Sequence, residues 1–288
     1  MKNFIAIARK CGRYALTLCL NYFFNHKLFF RLIGGMNKKL KIIHSIFTAY
    51  PAVEADGLAY MPKILFKKYL WRPFFCNLLW QNGKMILMFV ISAGNEHFTP
   101  KNLEEMRALE AEMENIRSAC NAERKTFAGV LPMKMFSKKI ISSVPELETM
   151  VLAINKAVVK FRDLPIVFLG KSGFFSQLLA EKLHDMQIAH GKWPEHLQSA
   201  VLAINASMNS GLEKMAVFMP RGSVVINEVY GGIKAETLKI LEKNACRVYN
   251  LAGIKASALL VPMHGQYRNA VPTCASWPAA DAEVVLKK

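Results

Sequence analysis

From Leu164 onward, short apolar runs alternate with amphipathic helical stretches, and this alternation constrains the fold more than any other feature of the chain. "IVFLG" precedes the helical stretch "FSQLLAEKLHDM", and "SAVLAINAS" and "GSVVINEV" read as strands. "AETLKILEKN" reads as a helix and "CRVYNLAG" as a further strand. Strands of a parallel sheet are covered by helices on both faces, so their runs are continuously aliphatic and not alternating. The pattern therefore predicts a parallel α/β sheet in this half.

Upstream, "MILMFVIS" at 85–92 has the form of a buried strand. Thr99 and Pro100 then offer an N-cap and a first helical residue for a long surface helix. Its apolar face is Leu103, Met106, Leu109 and Met113, and its acidic face is solvated. "TFAGVLPMKMF" reads as a strand and loop, and residues 145–161 as another helix begun by Pro145. The expected organisation is a basic, aromatic region over 1–84, an α/β region over 85–162, and a nucleotide-binding type of domain over 163–288.

The stretch "VFLGKSGFFSQLLAEKL" places a glycine turn between a strand and a helix. In a parallel βαβ unit such a turn aims the helix N-terminus, with its unpaired N–H groups, at the crevice beyond the strand ends, where a phosphate can bind. The spacing is Gly170-x-x-Gly173-x-x-Ser176. Gly170 allows the tight turn, Gly173 allows a pyrophosphate to approach the backbone, and Ser176 stands where a third small residue packs helix on strand. Lys171, Ser172 and Phe174 complete the candidate cradle, and Ala206 and Ser207, ending the strand "LAINAS", face it. The alternative is a plain glycine-bearing strand-to-helix connection. A Walker loop is excluded by spacing: Gly170-Lys171-Ser172 is present, but Pro165 stands where the first glycine of Gly-x-x-x-x-Gly-Lys-Ser/Thr is needed. The fold class expected is thus α/β, with a Rossmann-like, mostly parallel sheet in the C-terminal half and a mixed α/β N-terminal region.

The chain carries a formal net charge of +17, with 52% hydrophobic residues. In residues 1–84 fourteen lysines and arginines face only Glu54 and Asp56. A basic surface of this kind steers anionic partners toward it: lipid headgroups, nucleic acid or an acidic carrier protein. Nucleic acid is not the expected partner, because charge is its only support and no helix-turn-helix, RNP or zinc signature accompanies it. The six cysteines are scattered without a CxxC pair, so neither a metal site nor a disulfide scaffold is expected. A reduced, cytoplasmic setting is the expectation, either free or associated with a membrane. The run "YALTLCLNYFF" falls well short of the roughly 20 residues a spanning helix needs. With its interleaved basic and aromatic neighbours it reads either as an interfacial amphipathic helix or as a helix covering the domain.

From Met85 to the C-terminus, the order of these pieces resembles the long-chain acyl-(acyl-carrier-protein) reductases, which make fatty aldehydes from acyl thioesters with NADPH. The resemblance is carried by the helix before "TFAGVLP", the Gly170–Gly173–Ser176 turn, and "ASM" at Ala206–Met208. "NEVYGG", the step Ala252–Lys255 and the small-residue stretch "AVPTCASWPAADAEVVL" continue it. It implies a cysteine nucleophile, Cys274, that takes the acyl group from acyl carrier protein or acyl-CoA. His264 is then the candidate acid for the leaving thiolate and Lys255 the candidate for stabilising the oxyanion. For each residue the plain alternative also stands: a buried small hydrophobe for Cys274, an exposed loop histidine for His264. Cys246 is expected in the core, and His184, His190 and His196 on the surface. Two departures accompany the resemblance. "QIAHGKWPEHLQ" leaves almost no room for both a second strand and a second helix, and no acidic residue stands where NAD selectivity needs one. Lys192 is the weak candidate for a 2′-phosphate. The competing reading is a non-catalytic Rossmann-like protein acting at an anionic membrane surface.

Overall fold

The computed structural model describes residues 12, 15, 16, 19, 27–49, 61, 63–127, 145–206, 211–229, 233–263, 265–273 and 282–288. In chain order come helix α1 (Lys27–Leu40), strands β1 (Ile43–Ala49), β2 (Phe74–Gln81) and β3 (Lys84–Val90), helix α2 (Leu103–Ala119) and strand β4 (Arg124–Phe127). Then follow α3 (Pro145–Val158), β5 (Ile166–Leu169), α4 (Phe174–Ala180), β6 (Gln187–Ala189), β7 (Leu202–Asn205) and α5 (Gly211–Met215). The last elements are β8 (Val224–Asn227), α6 (Ala235–Lys243), β9 (Arg247–Lys255), β10 (Ser257–Ala258), β11 (Ala270–Val271) and β12 (Val284–Lys287). The fold is mixed α/β, with two sheets that each combine parallel and antiparallel strands. The chain forms two compact units, Met1–Glu146 with Lys255–Ala282, and Leu147–Ile254 with Glu283–Lys288.

In the first unit the sheet order is β10-β2-β3-β1-β4. β2 and β3 form a hairpin on Asn82 and Gly83, whose φ values of 47° and 75° are those of a type I′ turn. β1 lies parallel between β3 and β4, and all seven of its residues are buried. Helices α1 and α2 supply Phe30, Met106, Leu109 and Met113 to a core with Ile46, Phe75 and Phe89. A second cluster joins Phe47, Phe74, Met88 and Val90 with Tyr69 and Met263. Three of the four residues expected on the apolar face of α2 are buried, but Leu103 is 39% exposed. The reason is local: a 3-10 turn over Pro100–Asn102 precedes the α-helix, so Leu103 is its first residue and Ile116 completes the buried face. Thr99 heads that turn with Pro100 behind it, yet its side chain makes no capping hydrogen bond. On the acidic side of α2, Glu114 is paired with Arg117 and Lys125.

The rotation of α1 is fixed by two residues. A Cβ on Gly34 would lie 1.8 Å from the Ala119 carbonyl oxygen, so only glycine allows this approach to the end of α2. The buried Asn37 carboxamide donates to the carbonyls of Ile43, Cys120 and Asn121 at 2.8, 3.1 and 2.8 Å and accepts from the Ile43 N–H at 2.7 Å. Asn121 in turn donates to the Gly34 carbonyl at 2.8 Å. Asn77 does similar work on β2, donating to the Val261 carbonyl and accepting from three backbone N–H groups, of Leu78, Leu260 and Val261.

The second unit holds the expected parallel strands, in the order β6-β5-β7-β8-β9. The C-terminal β12 runs antiparallel along β9. Val167, Leu169, Ala203 and Val225 pack with Leu212, Met215 and Leu241 from helices α5 and α6. The segment 187–198 has the second strand, only three residues long, and no second helix. A bend takes the helix's place, held by the Trp193 indole N–H donating to the Leu197 carbonyl at 3.1 Å.

Candidate functional site

Because β6 lies on one side of β5 and β7 on the other, the chain order reverses at β5. In open parallel sheets ligands bind beyond the strand ends at such a reversal, where two loops diverge and leave a crevice. The glycine turn follows β5 at this edge. Gly170 has φ +154°, and its N–H donates to the Ala189 carbonyl at the end of β6, 3.0 Å away. Gly173 is extended, with φ −170°, and a Cβ added there meets nothing within 4 Å. Ser176 is buried at the third position of α4; its hydroxyl accepts from the Gly173 N–H at 2.8 Å and donates to the Gly173 carbonyl at 2.9 Å. Two of the turn's amides are thus used within the protein. Lys171 and Ser172 are exposed, and their N–H groups have no partner among the described residues. Phe174 begins α4.

On the other side of the reversal stands a feature that the sequence reading passed over. β7, β8 and β9 carry asparagines in register: Asn205 opposite Asn227, and Asn227 opposite Asn250. Asn227 Nδ2 donates to Asn250 Oδ1 at 3.0 Å and to the Val229 carbonyl at 3.4 Å. A carbonyl can only accept, so Asn227 must turn its oxygen toward Asn205, which donates to it at 2.7 Å. The consequence is that Asn205 Oδ1 is a buried acceptor without a hydrogen-bond partner among the described residues, on a residue only 6% exposed. Buried polar atoms are almost always paired, so an orphan at a strand end is a feature to explain. The signal was in the sequence: "LAIN" and "VVIN" end in the same dipeptide. Ala206 is half-buried just beyond, and Ser207 lies outside the described residues. Gly211, at the start of α5, brings its backbone against β5, where a Cβ would stand 2.7 Å from the Leu169 carbonyl oxygen.

Of the three candidate catalytic residues, His264 and Cys274 lie outside the described residues. Lys255 is exposed at the end of β9 and belongs to the first unit, whereas the glycine turn belongs to the second. The first unit has a cavity of about 590 Å³ lined by Ser257, Ala258, Pro262, Met263, Arg268 and Asn269. Its guanidinium suits a carboxylate or phosphate by paired N–H donors, and Arg268 was not singled out in the sequence.

The described cysteines make poor thiolates where burial governs them. Burial pushes the Cys76 thiol far up, the Cys120 thiol up to about 12, and the half-buried Cys246 thiol up as well. Cys246 precedes β9, with its sulfur 3.8 Å from the Pro220 carbonyl oxygen. His184, His190 and His196 are exposed. Lys192 is exposed and paired with Glu195 at 2.5 Å. A buried histidine that the sequence reading missed, His44 on β1, sits 3.1 Å from a Glu123 carboxylate oxygen. Its burial lowers its pKa, Glu123 opposes that shift, and Lys84 and Arg124 reinforce it.

Among the described residues no helix is long and apolar enough to cross a membrane. Compared with protein-family models and with curated protein sequences, the chain matches none.

Proposed function

We propose that the second unit is a Rossmann-like domain that holds NADPH at the carboxyl edge of its parallel strands, and that the chain uses it to reduce a long-chain acyl thioester to a fatty aldehyde. The observation that carries the cofactor half is the reversal of strand order at β5, flanked by the unpartnered amides of Lys171 and Ser172 and by the orphan acceptor of Asn205. Those amides suit a pyrophosphate, the open space over Gly173 leaves it room, and Asn205 Oδ1 calls for a hydroxyl or amide donor. The support for the reductase half is the sequence resemblance. In that reading the Cys274 thiolate takes the acyl group from acyl carrier protein or coenzyme A. His264 gives a proton to the departing thiolate, and Lys255 steadies the oxyanion. NADPH supplies the hydride that releases the aldehyde.

The two halves are tested separately. Gly173 is extended with open space around it, so Gly173→Phe should leave the melting temperature unchanged while filling the approach to the turn. NADPH binding followed by its fluorescence should then be lost in the variant and present in the wild type. Equal binding by both removes the turn from the site. For the chemistry, a long-chain acyl thioester given without NADPH should acylate Cys274 alone, and Cys274→Ser should lose both acylation and aldehyde. Acylation elsewhere, or none, ends the reductase reading and leaves the cofactor reading standing.

A further inference from the structure

Helix α1 buries one face and leaves another apolar face uncovered among the described residues. Phe30, Gly34 and Asn37 are buried, yet Leu28, Leu32, Met36 and Leu40 are 67%, 63%, 62% and 55% exposed. Their spacing of four sets them in one row, about 18 Å long and within roughly 120° of arc at 1.5 Å and 100° per residue. The row cannot turn inward. Gly34 against Ala119 and the four hydrogen bonds of Asn37 fix the rotation of the helix, and any other rotation would break them.

Charge says what the row meets. Helix α1 has Lys27, Arg31, Lys38 and Lys39 and no acidic residue, and Lys41 follows directly. On the helical projection Lys39 falls within the apolar row, and Arg31, Lys38 and Lys27 form a line about 60–100° to one side of its edge. A second copy docking face to face would press four cations against four. The row also contains no tryptophan or tyrosine, the anchors that carry most protein interfaces. Four flexible aliphatic chains with lysines able to reach outward from among them are the features of a helix lying in the plane of a lipid surface.

We propose that α1 docks the protein on anionic bilayers, with Leu28, Leu32, Met36 and Leu40 in the acyl boundary and Lys27, Arg31, Lys38 and Lys39 against headgroup phosphates. This goes beyond the NADPH reading and does not depend on it. A soluble enzyme acting on long acyl chains and a protein without catalysis would both be brought to the membrane in this way.

The test is co-sedimentation of the full chain with vesicles of phosphatidylcholine, with and without phosphatidylserine. Wild type should partition to the phosphatidylserine vesicles, and rising salt should weaken that binding. Leu32→Ser/Met36→Ser alters two exposed side chains, so its circular dichroism and melting temperature should match wild type. Its partitioning should fall at least about tenfold, since each aliphatic chain left in water forfeits its transfer energy. Lys38→Glu/Lys39→Glu should abolish the preference for anionic vesicles. Wild type remaining in the supernatant, equal binding to neutral vesicles, or full binding by the serine variant would each overturn the proposal. So would a lipid-free dimer that the serine substitutions dissociate, which would make the row an interface between copies.

Discussion

Gly34 and His44 show how much single positions carry in this chain. At Gly34 the obstacle to any side chain is a backbone carbonyl, which cannot move aside as a flexible side chain would. Gly34→Ala should therefore separate α1 from the end of α2 and cost about 1–3 kcal/mol, the usual range for overpacking. The urea midpoint measures this, and an unchanged midpoint would mean that α1 shifts without loss. His44 binds protons less readily in the folded protein than in the unfolded chain, because burial holds its pKa below the ordinary value of 6.5. The unfolded state then takes up more protons on acidification, so stability is full above about pH 6.5 and falls below it. Unfolding free energy measured from pH 7.5 down to 5 should decline, and His44→Gln should flatten that slope. A slope identical in the variant would assign the acid sensitivity to other groups.

At the scale of elements, the asparagine row across β7, β8 and β9 makes an unequal prediction for chemically equal substitutions. Asn227 is the middle member, giving its amide to Asn250 and taking that of Asn205. Asn227→Leu strands polar groups on both neighbours, and each stranded group costs about 1–3 kcal/mol. Asn205→Leu strands only one, Asn227 Oδ1, and removes an acceptor that was already unpaired. Chemical denaturation should rank Asn227→Leu as clearly the more damaging. The reverse order would mean that Asn205 Oδ1 has a partner, such as an ordered water, in solution. The same edge shows what was legible. The strands β5, β7, β8 and β9 could be read because continuous aliphatic runs between helices have few other uses. The asparagine row was not read, since sequence does not fix register and only register makes the three residues neighbours.

Across the whole molecule the chain passes from the first unit to the second, back to the first, and returns to the second only in its last six residues. There β12 pairs antiparallel with β9, Val284 opposite Ile254 and Lys287 opposite Asn250. Deleting residues 283–288 should uncover a strand edge and promote association, since an exposed ladder of N–H and C=O groups templates further pairing. Light scattering on the shortened chain checks this; a monodisperse, equally stable product would show that β9 does not depend on the pairing. The first 84 residues were legible as a basic, aromatic region with one helical stretch, "YALTLCLNYFF". In the structure they contribute α1, β1 and β2 to the first unit. β1 escaped notice because the buried His44, Ser45 and Thr48 interrupt its aliphatic run, and its partners β3 and β4 come some 40 and 80 residues later.

The sequence by itself determined the α/β class, the parallel strands after Leu164, the long helix after Pro100 and the excess of positive charge. These follow from local propensity and composition, which act over a few residues at a time. Only the tertiary structure decided which glycines admit a neighbouring backbone, which amides remain unpaired at the sheet edge, and which leucines of α1 face outward. Each of these depends on contacts between segments far apart in the chain. Leu28 and Phe30 are both large apolar residues of one helix. The packing of Gly34 and Asn37 against the end of α2 is what buries the second and exposes the first.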